Sequence, residues 1–146
     1  MACVLTPASA APYRGTVRAT LGAGVPPSAY GLCWPTVDLA GLPRAVDCGG
    51  PHRGQLMATG SLAEPAAADF AAVLASCRAV TARLLLRGDP EGSGDLVVRT
   101  DPAEPPPTRR FAQGPITVAC FVSTADGREL DRTLMGIGRS AVRYTG

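Results

Sequence analysis

Lysine is missing from this 146-residue chain: all fourteen basic residues are arginine. A solvated face accepts either cation, so chemistry gives no reason for the bias. A GC-rich genome does, since it favours Arg, Ala, Gly and Pro codons, and the composition points to an actinobacterial source. Aromatic residues are scarce at 5%. The arginines are scattered against twelve acids, with Arg109 and Arg110 the only adjacent pair. A nucleic-acid surface needs a denser basic stripe with interleaved aromatics, so that class is excluded. No apolar run approaches the ~20 residues of a membrane helix. The start, MACVLTPASAAPYRG, lacks a basic head and a long enough apolar run for a signal peptide. The chain as given is therefore not expected to export itself. There is one histidine and no Cys-x-x-Cys pair, which argues against a zinc ribbon or a thioredoxin-like site.

What is present is a chain 46% hydrophobic, with length for one domain and a real core. It carries five cysteines, Cys3, Cys33, Cys48, Cys77 and Cys120. Wide spacing in a Pro/Gly-rich chain reads as an extracytoplasmic disulfide framework. Disulfides without an export signal are reconciled if the chain is a piece of a longer exported protein.

The segment AEPAAADFAAVLASCRAVTARLLLRGDP predicts one long helix, opened by Glu64 and Pro65 and closed by Gly88 and Pro90. Phe70, Val73, Leu74, Cys77, Val80, Leu84 and Leu85 recur at helical spacing as its apolar stripe. Strands are expected at GQLMATGSL (Gly54 to Leu62), DLVVRT (Asp95 to Thr100) and ITVACFVST (Ile116 to Thr124), with the proline-rich DPAEPPPTRRFAQGP as a loop. ADGR reads as a hairpin turn that returns the chain as ELDRTLMGIG. Cys77 faces inward from the helix and Cys120 inward from a strand, which invites a Cys77–Cys120 bond across the core. Closing that loop stabilises the fold by roughly 4 kcal/mol in the chain-entropy model.

The first residues, ACVLTPASAAPYRGTVRATLGAG, echo the last hairpin, ACFVSTADGRELDRTLMGIG. Cys3 falls on Cys120 and the Thr20-Leu21 strand on Thr133-Leu134. Residues 1–27 are thus expected to be the closing hairpin of a truncated preceding repeat, which leaves Cys3 as a free thiol. Residues 28–146 are the domain proper.

The order YGLCW, VDCGGPHRGQL, a helix with Cys77, RRFAQG, VACFV and LDRTLMGIG resembles the septum-formation-related domain of actinobacterial, mycobacterial-type envelope proteins. That domain shows Gly-x-Cys, Cys-x-x-Pro-His-x-x-Glu, a helix cysteine, a Pro with an aromatic and Gly, a cysteine strand and a closing hairpin. The resemblance covers residues 28 to 140 and the partial copy before them. Gln55 stands where the family usually has Glu, and Phe111 where Trp is common. The resemblance implies an exported, often membrane-anchored protein with a loose link to cell division or the envelope. It implies no established catalysis and no cofactor.

Within VDCGGPHRGQL, Cys48 precedes His52 by four residues. The spacing of Cys33 and Cys48, with Pro and Gly between, suits a disulfide-closed loop worth roughly 3 kcal/mol. Two rival readings stay open: a zinc site using Cys33, Cys48 and His52, short of a fourth ligand, and a small envelope hydrolase using Cys48 and His52. In the preferred reading His52 supports the turn by bonding backbone. His52, Arg53 and Trp34 are candidate ligand contacts, with Trp34 packed against the disulfide as its structural role. Asp38 with Asp47, or Asp126 with Glu129, fit turn and surface positions better than a catalytic carboxylate pair. GDPEGSGD follows a helix, whereas phosphate loops open one, so it is a turn. Met57 and Met135 are core.

The expectation is therefore an α+β domain, one long helix packed on a mostly antiparallel β-sheet and stapled by two disulfides. It is expected to be a non-catalytic extracytoplasmic module that binds no metal, meets an envelope protein or cell-wall ligand, and belongs to a parent anchored outside this chain.

Overall fold

A computed structural model describes residues 32–37, 44–63, 68–104 and 115–146. The expected N-terminal hairpin, Cys3, Asp38, Glu64, Pro65, Phe111 and most of the proline-rich loop lie outside the described residues. Among the described residues four strands and one helix follow in the order β1 (Cys33–Trp34), β2 (Gly54–Leu62), α1 (Phe70–Leu85), β3 (Leu96–Asp101) and β4 (Ile116–Thr124). The sheet order is β1-β2-β4-β3, with every neighbouring pair antiparallel. Strands β2 and β3 are therefore parallel to each other, joined through α1, with β4 inserted between them. This is a split β-α-β arrangement.

The helix is 16 residues long, shorter than expected at both ends. Asp69 sits in extended backbone before it, and its Oδ1 accepts from the amides of Ala71 (2.9 Å) and Ala72 (3.3 Å). That is an N-cap, and a capping aspartate starts the helix five residues after Glu64. At the other end Leu86, not Gly88, takes the left-handed conformation, with φ 57°. The Arg87 amide reaches Ala82 O and the Leu86 amide reaches Arg83 O, the paired bonds of a Schellman end. The alanine-rich interior is a run of strong helix formers.

One face of the sheet packs against α1. Cys77, Thr81 and Leu85, spaced by four, are the helix's buried line. They meet Met57, Leu96, Val98 and Val122, and Leu130, Leu134 and Val142 of the C-terminal segment complete the core. Of the expected stripe, Cys77 and Leu85 are buried and Val73, Leu74 and Leu84 pack against the core, while Thr81 is buried where Val80 was favoured. The Cys77–Cys120 bond, with Cα atoms 5.4 Å apart, fixes the rotation of the helix and brings residues 81 and 85 under it. Met57 is core as expected, and Met135 is half-buried.

The expected closing hairpin does not form. Both edges of β4 are taken, by β2 and by β3, so a returning strand has no edge to pair with. After the turn at Gly127 (φ 77°), Leu130 instead makes isolated bridges to His52 and Tyr144. The chain then crosses to the helix end. There the Gly136 amide donates to Leu84 O and the Gly138 amide to Leu85 O, both at 2.8 Å. Carbonyls at a helix C-terminus lack intrahelical partners, and the Met-Gly-Ile-Gly segment supplies them. Gly136 and Gly138 both have positive φ, 71° and 58°, a conformation that glycine adopts without penalty.

Candidate functional site

The cysteine-histidine stretch lies at the β1 edge of the sheet. Cys33 on β1 is bonded to Cys48, with Cα atoms 5.3 Å apart and both residues fully buried. The Val46 amide donates to Cys33 O at 2.7 Å. Asp47 then organises a turn: its Oδ1 accepts from the Gly49 amide, and its carbonyl accepts from the Gly50 amide. With Cys48 tied to Cys33, this oxidised form has no Cys48 thiolate to act as nucleophile or metal ligand. Among the described residues no group of three His, Cys, Asp or Glu side chains could hold a metal ion.

His52 is fully buried. Its Nδ1 lies 2.8 Å from Gly50 O. A carbonyl only accepts, so Nδ1 carries the ring proton and donates it there. Nε2 is then an acceptor, and it is buried without a hydrogen-bond partner. Burial pushes the imidazole pKa below its ordinary 6.5, opposed by the Gly50 bond and by Asp131 and Asp47. The His52 backbone is engaged as well: its amide donates to Leu130 O (3.1 Å) and its carbonyl accepts from the Leu130 amide (2.7 Å). The His52 backbone therefore ties this turn to the C-terminal segment, while its ring bonds the backbone of its own turn.

Gln55, which the sequence marks only as a departure from Glu, is as buried as His52. Its Oε1 accepts from the Leu134 amide at 2.8 Å, and its Nε2 donates to Thr133 Oγ1 at 2.8 Å. Thr133 Oγ1 also accepts from the Met135 amide at 3.2 Å. Gln55 is thus spent on the chain's C-terminal segment and His52 Nδ1 on its own turn, while His52 Nε2 has no partner. A single sequence offers no signal for this pairing, because Gln55 and Thr133 are far apart in the chain.

The remaining candidates do not converge on these two. Arg53 is exposed and 3.6 Å from Glu129, an exposed pair that adds little stability. Trp34 is half-buried, and strand alternation projects it to the sheet face opposite Cys33. Asp126 accepts from the Arg128 amide and guanidinium, which hold its carboxyl below the usual carboxylate range. Asp126 and Glu129 each face an arginine and do not form a carboxylate pair. The GDPEGSGD segment is a turn, as read: Asp89 accepts from the Glu91 amide, and the Gly94 amide donates to Glu91 O.

The fold and this stretch together define a small split β-α-β domain cross-linked by two disulfides, the mark of an oxidising, extracytoplasmic environment. Comparison of the chain with protein-family models, with curated proteins and with solved structures finds no match. Among the described residues no helix is long and apolar enough to cross a membrane.

Proposed function

We propose that this chain is a non-catalytic binding or structural module of an actinobacterial cell envelope, of the septum-formation-related kind, in a parent protein anchored outside the sequence given. Its partner in this reading is an envelope protein or a cell-wall ligand. The observation that carries the reading is the pair of disulfides at the positions the family order singles out, Cys33–Cys48 and Cys77–Cys120. The use of His52 and Gln55 as internal fasteners supports a structural purpose for the Cys-x-x-Pro-His-x-x-Gln element.

The test is made on the tagged parent protein in its native host. Intact cells are treated with a membrane-impermeant protease, and the extracted protein is alkylated without reduction. The reading expects a tag that the protease reaches and four cysteines that resist alkylation. A tag protected inside the cell with all five thiols free overturns it.

A further inference from the structure

The sheet's far edge, β3, carries a feature that the envelope reading does not use. A cavity of about 490 Å³ is lined by every residue from Val97 to Asp101, with Arg78 on the helix side and Phe121 on the other. Successive strand residues project to opposite faces, so a cavity on one face would touch alternate residues. Five in a row place it along the outer edge of the strand. Among the described residues β3 is the outermost strand in the sheet order. The Val98 amide donates to Glu91 Oε1 at 3.0 Å rather than to β4, so it points outward, and by the period of two the Thr100 amide does the same.

We propose that the outer edge of β3 is a strand-addition site for an extended peptide segment bearing a carboxylate, which Glu91 occupies in the free protein. An open strand edge is a template for pairing with another chain. Glu91 supplies what such a segment would supply: an acceptor for the Val98 amide, and a carboxylate 2.6 Å from Arg78 Nε. The latch can open: the Arg78 side chain is half-exposed and that of Glu91 a quarter exposed, so solvent screens the pair in part. Among the described residues the charged side chains lining the cavity are Arg78, Arg99 and Asp101, with Arg99 Nε also donating to Ser123 Oγ, so once Glu91 swings out the edge selects a carboxylate over an ammonium. The cavity falls in the size range of ligand clefts. This proposal does not depend on the compartment or the parent of the chain.

The test is an amide NMR titration of the oxidised full chain with the blocked peptide Thr-Val-Glu-Val-Thr and its Thr-Val-Lys-Val-Thr analogue. The Glu peptide should shift the Val98 and Thr100 amides. Glu91→Ala, which removes the internal competitor, should tighten its binding on the order of tenfold. Glu91→Gln keeps an acceptor for the Val98 amide but loses the charge, and should gain less. If Glu91→Ala does not fold, the Gln variant carries the comparison. Silence of the β3 amides in both wild type and variant overturns the proposal, as does equal binding of the Lys peptide. So does an alanine variant that doubles its mass by light scattering, since its edge then takes a second copy of itself.

Discussion

Gln55 and Leu134 are 79 positions apart in sequence, yet the buried Gln55 Oε1 accepts the Leu134 amide at 2.8 Å. Together with the Nε2 bond to Thr133, this clamps the start of the Thr-Leu-Met-Gly-Ile-Gly segment onto β2. Gln55→Leu keeps the volume but strands the Leu134 amide without an acceptor. The expected loss is about 1–3 kcal/mol in denaturant unfolding, the cost of an unsatisfied buried donor. A double-mutant cycle with Thr133→Val should show a coupling of about 0.5–3 kcal/mol. Additive effects would mean that the two side chains do not act together.

His52 gives the fold an acid-side weakness. Its folded pKa lies below 6.5 because the ring is buried, so between the two values the unfolded chain binds the proton more readily. The stability it contributes is fully present above pH 6.5 and is lost as pH falls through the lowered folded pKa. His52→Ala should cost roughly 1–2 kcal/mol at neutral pH through the lost Gly50 bond. It should also flatten the fall in stability just below pH 6.5. Denaturant midpoints measured across that range decide the matter: an unchanged slope in the variant would exclude His52 as its source. An unchanged stability accompanied by loss of a ligand-binding or hydrolytic signal would place the histidine in a functional site.

Peptide mapping of the non-reduced protein should join Cys33 to Cys48 and Cys77 to Cys120, with Cys3 alone open to alkylation. The first bond has a sequence separation of 15 and the second of 43. In the chain-entropy model these are worth roughly 3 and 4 kcal/mol. The Cys77→Ala, Cys120→Ala double variant should therefore lose more stability than Cys33→Ala with Cys48→Ala, and more than His52→Ala. The reverse order in calorimetry would show that the core staple is not the dominant cross-link.

Gly136→Ala and Gly138→Ala should each cost about 1–2 kcal/mol, the left-handed penalty for a residue with a Cβ. Amide exchange at residues 136 and 138 should quicken, because those amides cap Leu84 and Leu85. Exchange left unchanged in both variants would mean that these caps do not fasten the helix end.

Local patterns carried the elements well. Ile116 to Thr124 and Gly54 to Leu62 are strands over the ranges that alternation marks, and the inward faces of Cys77 and Cys120 were visible as separate periodicities. The helix start was legible but missed: Asp69, a better cap than the Glu64-Pro65 pair, stands immediately before Phe70, the first residue of the apolar stripe. The closing hairpin failed for a non-local reason. ADGR is a sound turn, but whether a strand can return depends on a free edge, and β3 claims that edge from a segment upstream. The roles of Gln55, Glu91, Gly136 and Gly138 share the same obstacle. Each is a polar bond to backbone whose partner no spacing rule reaches.

The central place of β4 also sets an order of assembly. β2 and β3 are parallel and do not touch, so neither has its main partner until the chain beyond Ile116 has been made. Non-local pairing of this kind folds slowly and leaves strand edges open meanwhile. As the chain emerges N-terminus first, Cys33 can meet Cys48 while Cys120 is still missing, which leaves Cys77 with the distant Cys3 as its one remaining thiol neighbour. Early closure of the Cys33–Cys48 loop removes the nearest wrong partner from reach of Cys77. The short disulfide thereby protects the pairing of the long one, a kinetic service distinct from the stability either bond provides.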